Sequence, residues 1–183
     1  HYINLMKSIK PQTSKLDKVF RNSIKKVGVL GSGLMGHGIA YVAALAKIEV
    51  VLVDINQKLL DKGMNRIKTI LKDNLVKGII TKSDLESIQA RIIATDDYCK
   101  LDNSDLIIEA VFEDPVLKGE VTTTAEPYLV QNGVFASNTS TIPISILSEN
   151  CSYPENFIGL HFFSPANKMK LVEIIKSKKT SSS

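Results

Sequence analysis

Three polar side chains late in the chain have the chemistry to take a proton from a hydroxyl. His161 opens the run His161-Phe-Phe-Ser-Pro165, and Glu173 follows twelve residues later. A carboxylate on one imidazole nitrogen fixes the tautomer and stabilises the imidazolium, which leaves the other nitrogen to accept the proton. Ser140, in Asn138-Thr-Ser140-Thr, brings a hydroxyl that can hydrogen-bond a substrate oxygen. Taken singly, a histidine or a hydroxyl cluster is an ordinary structural feature, such as a helix cap or a turn. Here each follows a short apolar run that reads as a strand, at 134–137 and 157–160. In a parallel sheet those C-terminal ends face the ligand crevice. Glu173 falls in the next apolar run, 171–175, so strand pairing can bring it beside His161.

A second cluster has the pattern of a dinucleotide cradle. Gly31-Ser-Gly33-Leu-Met-Gly36 is G-x-G-x-x-G, preceded by an apolar strand and followed by a helical run. Gly31 permits the tight turn, Gly33 lets backbone reach a pyrophosphate, and Gly36 lets the helix pack on the strand. The helix start offers free N–H groups to the phosphates. Asp54 ends the second strand eighteen residues after Gly36, where a ribose ligand is expected. A carboxylate there repels a 2′-phosphate, and the following Ile55-Asn56-Gln57 supplies no arginine to receive one. The motif therefore points to NAD rather than NADP.

These groups need a sheet to position them. The runs 26–30 and 49–53 read as strands flanking a helix at 35–46, a β-α-β unit. A helix is expected over 57–77, with Leu60, Met64, Ile67, Leu71 and Leu75 on one face and Lys58, Lys62, Arg66 and Lys72 opposite. A shorter helix is expected over 84–90, with Ser83 as its N-cap and Glu86 at the capping-box position. Further strands are expected at 91–94, 105–110, 134–137, 157–160 and 171–175. The alternation predicts an α/β fold: a doubly wound, mainly parallel, Rossmann-like sheet with a helical hairpin, 57–90, inserted after the second strand. The segment 116–128 fits least well, because Gly119 and Thr122-Thr123-Thr124 are poor helix formers. Residues 1–24 are basic and without period, a linker or lead-in to a domain over 25–183.

Bulk properties exclude several classes. At 183 residues, with 44% hydrophobic and 23% charged residues, the chain is one folded domain rather than a disordered one. Cys99 and Cys151 and three scattered histidines give neither a disulfide framework nor metal-ligand spacing, so no metal is expected. A net charge of +4, much of it at the two ends, gives no nucleic-acid footprint. The stretch 27–46 lacks Asp, Glu, Lys and Arg but holds five glycines, which suits a strand, loop and buried helix better than a membrane span. The chain begins at His1 without a signal-peptide pattern, which reads as a piece of a longer soluble protein. The compartment stays open: cytoplasm if the source is bacterial, mitochondrial matrix or peroxisome otherwise.

Gly31 to Gly36, Asp54, Ile108-Glu-Ala-Val-Phe-Glu113, Ser137-Asn-Thr-Ser140 and His161-Phe-Phe-Ser-Pro165 through Val172-Glu173 together resemble the NAD-binding domain of the (S)-3-hydroxyacyl-CoA dehydrogenases. The resemblance covers 25–175. It implies that His161 is the catalytic base, Glu173 its carboxylate partner, and Ser140 the hydroxyl on the substrate's 3-oxygen, near the nicotinamide. It implies that Asp54 binds the adenosine ribose and that Met35 lies in the pyrophosphate loop with Gly31, Gly33 and Gly36. Val111, Phe112, Glu113 and Lys118 match a stretch lining the cofactor, and Asn138 and Ser164 fall on its nicotinamide side. Ser164 stands where single-function members usually have asparagine.

The wording Phe-Phe-Ser-Pro with Lys168-Met169 is most similar to the fused β-oxidation multienzymes, in which an enoyl-CoA hydratase domain precedes this one. The family's helical C-terminal domain, with most of the acyl pocket and the main dimer contacts, is not expected within these residues. The implied partners are an acyl-CoA, those two domains and, through the dimer contacts, a second copy. Lys72 and Lys77, on the basic helix, are candidates for a CoA phosphate, against the plainer reading of a solvated face. Two competing functions are an NAD-binding structural relative and a dehydrogenase of another small 3-hydroxy acid.

Overall fold

The computed structural model describes residues 24–181, so the expected lead-in lies, Ile24 apart, outside the described residues. A seven-stranded sheet runs through the domain, in the order β3-β2-β1-β4-β5-β6-β7. The strands are β1 (Lys26–Leu30), β2 (Glu49–Val53), β3 (Ile92–Thr95), β4 (Ser104–Glu109), β5 (Leu129–Ser137), β6 (Phe157–Phe162) and β7 (Val172–Lys176). All neighbours pair in parallel except β6 and β7, which are antiparallel. The helices are α1 (Gly36–Leu45), α2 (Gln57–Val76), α3 (Lys82–Ala90), α4 (Pro115–Ala125) and the short α5 (Ile144–Leu147). This is the doubly wound Rossmann-like architecture, with α2 and α3 inserted between β2 and β3.

Period-two alternation within the central strands builds two cores. Val27, Val29, Val50, Leu52, Ile108 and Ala136 face the α1–α2–α3 layer. Their neighbours Leu30, Val51, Val53, Ile107 and Phe135 face the other side, against Ala125, Ile144 and Leu147. Burial on both faces explains why the strands are continuously apolar rather than alternating with polar residues. Among the described residues no helix is long and apolar enough to cross a membrane; the charge-free stretch 27–46 forms β1, the glycine turn and α1.

Two local expectations differ from the structure, and a third segment, expected as a helix by alternation despite its poor helix formers, is one. α3 is capped by Thr81, not Ser83. The Thr81 side chain accepts from the Asp84 N–H, and the Asp84 carboxylate accepts from the Thr81 N–H, a full capping box. Gly78, at φ +69°, follows the end of α2; Thr81 is extended while Ser83 already lies inside α3, so the earlier of two overlapping cap patterns wins. β5 begins at Leu129, not at 134. The Asn132-Gly133 pair is absorbed by a register shift opposite Ser104 and Leu106, with Asn132 at φ +63°. The ill-fitting segment at 116–128 is α4 followed by a 3-10 turn. Asp114 caps α4, Pro115 stands in its first turn, and the Thr123 and Thr124 hydroxyls bond back to the carbonyls of Gly119 and Glu120. Gly119 serves packing: a Cβ there would stand 2.9 Å from the Asn150 side chain.

Candidate active site

Four chain segments meet at the C-terminal edge of β4, β5 and β6. The antiparallel register sets His161 directly opposite Glu173. His161 Nδ1 lies 2.9 Å from Glu173 Oε2, and Nε2 lies 3.3 Å from Ser140 Oγ. An ionised carboxylate can only accept, so it holds the ring proton on Nδ1 and leaves the Nε2 lone pair facing the serine hydroxyl. The His161 side chain is 20% exposed and that of Glu173 52%, so this relay opens to solvent at the crevice rather than being sealed in the core. Phe163 packs obliquely on the imidazole, with centroids 4.7 Å apart.

The serine loop is fastened from below. One Glu113 oxygen accepts from the Thr139 hydroxyl, the Ser140 N–H, the Thr141 N–H and the Thr141 hydroxyl, at 2.6–3.1 Å. Desolvation pushes the Glu113 carboxyl up, but those donors and the nearby Lys118 ammonium outweigh it and hold it at about 2. Asn138 Oδ1 accepts from the Phe162 N–H, tying the same loop to β6. Behind Glu113, Lys118 is 1% exposed, with Nζ 2.7 Å from Glu109 and 3.3 Å from Glu113. Glu109, wholly buried at the end of β4, also accepts from the Val111 N–H and the Ser137 hydroxyl. No role for Glu109 was evident from the chain's linear pattern. The available signal was a carboxylate ending the apolar run of β4, which needs a buried partner.

The glycine turn lies at the same sheet edge, between β1 and α1. Gly31 adopts φ +92°, and a Cβ there would approach the Ala110 carbonyl oxygen to 2.8 Å. A Cβ on Gly36 would stand 1.7 Å from the Gly31 carbonyl oxygen, whereas one on Gly33 would meet nothing within 4 Å. Space is thus kept clear at Gly33, and the N–H groups of Gly33, Leu34 and Met35 bond to no acceptor among the described residues. His37 Nδ1 sits 2.6 Å from the Gly33 carbonyl oxygen and braces the turn; its pKa is lowered chiefly by burial. Asp54 Oδ2 accepts from the Ser32 N–H at 2.7 Å, which fixes the carboxylate at the end of β2.

The other sequence-predicted residues are more loosely placed. Val111 and the exposed Phe112 follow β4 along the crevice edge, and Ser164 is exposed in the loop after β6. Lys72, on α2, and Lys77, its C-cap, are exposed, and nothing joins either to the relay among the described residues.

Residues 26–183 match the family model described as the 3-hydroxyacyl-CoA dehydrogenase NAD-binding domain. The chain belongs to this family. It is similar to (S)-3-hydroxybutyryl-CoA dehydrogenase from Ralstonia eutropha, at 38% identity and a TM-score of 0.84 over 87% of this chain and 56% of that one. It is similar also to 3-hydroxybutyryl-CoA dehydrogenase from Escherichia coli K12, at 34% identity and a TM-score of 0.83 over 87% and 34%. The dehydrogenase part of multifunctional enzyme 1 from C. elegans matches at 34% identity and a TM-score of 0.76, over 86% and 36%. The domain thus spans about half or less of these relatives. NAD is the cofactor of the family's domain, and the residues fit it: the clear space at Gly33, the free N–H groups and the anchored Asp54 suit a pyrophosphate and a ribose diol.

Proposed function

We propose that the domain holds NAD and the catalytic base of an enzyme that oxidises (S)-3-hydroxyacyl-CoA to 3-ketoacyl-CoA, the oxidation step of fatty-acid β-oxidation. The observation that carries this reading is the relay Ser140 Oγ, His161 Nε2, His161 Nδ1, Glu173 at the crevice edge. Neither His161 nor Glu173 is needed to hold a dinucleotide, so their pairing speaks for turnover rather than for a binding protein. Bound NAD⁺ supplies the hydride acceptor. Ser140 Oγ and His161 Nε2 hold the C3 hydroxyl between them. His161 takes its proton, and Glu173 stabilises the imidazolium that results. A base so placed contributes about 10²–10⁴-fold. Asp54, without a neighbouring arginine, supports NAD over NADP.

The family and the relatives named for hydroxybutyryl-CoA support this substrate class. The likeness to part of a multifunctional enzyme supports a parent chain with further domains. We place the acyl pocket largely on a helical domain following this one, with a hydratase domain preceding it through the basic lead-in. The test is reduction of acetoacetyl-CoA by NADH in the full-length parent, compared with free acetoacetate. Efficient use of the thioester alone is expected; equal use of the free acid would overturn the acyl-CoA assignment.

A further inference from the structure

The buried ion cluster beneath the serine loop has an unbalanced charge. Glu109 and Glu113 bring two carboxylates to one ammonium, Lys118. The shorter contact is to Glu109, which is fully buried, while Glu113 is partly open to the crevice. Glu109 thus takes up most of the lysine's charge, and one net negative charge is left on the crevice side, at Glu113.

Topology says what that charge faces. β1 and β4 are neighbours although β2 and β3 intervene in sequence, so the strand order reverses between them. A dinucleotide lies across such a switch point at the C-terminal edge. Its adenosine half belongs on the side of β2, where Asp54 stands, and its nicotinamide half on the side of β4 and β5. Glu109 ends β4, Ser137 ends β5, and Glu113 holds the Ser140 N–H. The nicotinamide ring is cationic in NAD⁺ and neutral in NADH, so a fixed charge beside it acts on one redox state and not the other.

We propose that the Glu109–Lys118–Glu113 cluster sets the redox preference of the site, its single negative charge favouring the cationic ring of NAD⁺ over the neutral ring of NADH. This rests on the reading that Ser140 and His161 hold the reacting oxygen beside the nicotinamide. Glu113 is then a charge-setting neighbour of the ring, and Glu109 acts through Lys118 as a positioning residue. A purely structural role would treat both forms of the cofactor alike.

The experiment measures dissociation constants of the full chain for ADP, NAD⁺ and NADH by calorimetry, in wild type, Glu113→Gln and Glu109→Gln. Each variant removes one negative charge from the cluster. Glu109→Gln also leaves the Glu113 bonds to Thr139, Ser140 and Thr141 in place, so it separates charge from loop geometry. ADP lacks the nicotinamide and reports the integrity of the glycine turn. The expected result is unchanged ADP affinity with Kd(NAD⁺)/Kd(NADH) raised by about three- to tenfold in both variants, the effect of one screened charge. Equal changes for NAD⁺ and NADH, or a lowered ratio, would overturn the proposal while leaving the cofactor assignment intact. Failure of wild type to bind any of the three ligands would overturn both.

Discussion

The two halves of the crevice are built from different materials. On the β1–β2 side the cradle is backbone: glycines at 31, 33 and 36, free N–H groups, and a single carboxylate, Asp54, held by Ser32. On the β4–β6 side the site is side chain: a relay of Ser140, His161 and Glu173 resting on an ion cluster of Glu113, Lys118 and Glu109. The backbone at Gly31 and Gly36 admits no added atom, whereas a side-chain relay tolerates isosteric change in shape and fails only in chemistry. The first half should break by losing the cofactor, the second by losing turnover.

The sharpest contrast lies within the glycine turn itself. Gly36→Ala places a methyl 1.7 Å from a backbone oxygen, so the turn must rearrange. We expect a lower thermal midpoint and NADH binding reduced by at least about a hundredfold, in keeping with the several kcal/mol of a forced overpacking. Gly33→Ala meets nothing in the protein. It should melt with wild type yet bind NADH about tenfold more weakly, because the methyl enters space that the pyrophosphate needs. Equal melting curves for the two variants would contradict the division between a packing glycine and a ligand glycine.

On the side-chain half, Glu173→Gln removes the charge that stabilises the imidazolium while keeping a hydrogen-bonding group near Nδ1. In the full-length parent, kcat at neutral pH should fall by about 10- to 100-fold and NADH affinity should stay within about threefold. Across the boundary, Asp54→Ala should do the reverse. It should weaken NADH binding by about tenfold, as expected when a hydrogen-bonded charge is lost, and narrow the gap between NADH and NADPH. Fluorescence titration of both cofactors measures it, and equal wild-type affinities for NADH and NADPH would already refute the role of Asp54.

The smallest effect concerns acid stability. The Glu113 carboxyl is held at about 2 in the folded chain, against an ordinary value of 4.5. A depressed carboxyl contributes stability that is fully present above the ordinary value and is lost as pH falls toward the folded one. Urea melts of wild type and Glu113→Gln should therefore differ most above pH 4.5 and converge between 4.5 and about 2. A constant difference across that window would show that Glu113 holds its loop by shape alone.

How much was legible in the linear sequence follows the same division. The glycine turn, its flanking strands and Asp54 lie within one short β-α-β stretch, where spacing encodes geometry directly. The pairing of His161 with Glu173 could be anticipated because two adjacent strands with a connecting loop have few registers available. The support beneath Ser140 was not legible. Glu109 reaches Ser137 across 28 residues and Glu113 reaches Ser140 across 27, and neither separation follows a helical or strand period. The resemblance marks Lys118 as lining the cofactor, but packing buries its ammonium against Glu109, and no spacing in the sequence shows that pairing. The cap of α3 is ambiguous for a different reason: Thr81 and Ser83 both begin cap-like patterns, and only the folded backbone, extended at Thr81 and helical at Ser83, distinguishes them.

The measurement that bears most directly on the account is the split between kcat and cofactor affinity in His161→Gln, made in the full-length parent. A fall in kcat of about 10²–10⁴-fold with NADH affinity within about threefold of wild type is expected, because the base lies on β6 and the cradle on β1 and β2. Near-normal kcat at neutral pH would contradict the assignment of the relay. A matching loss of NADH binding would contradict the separation of the two halves.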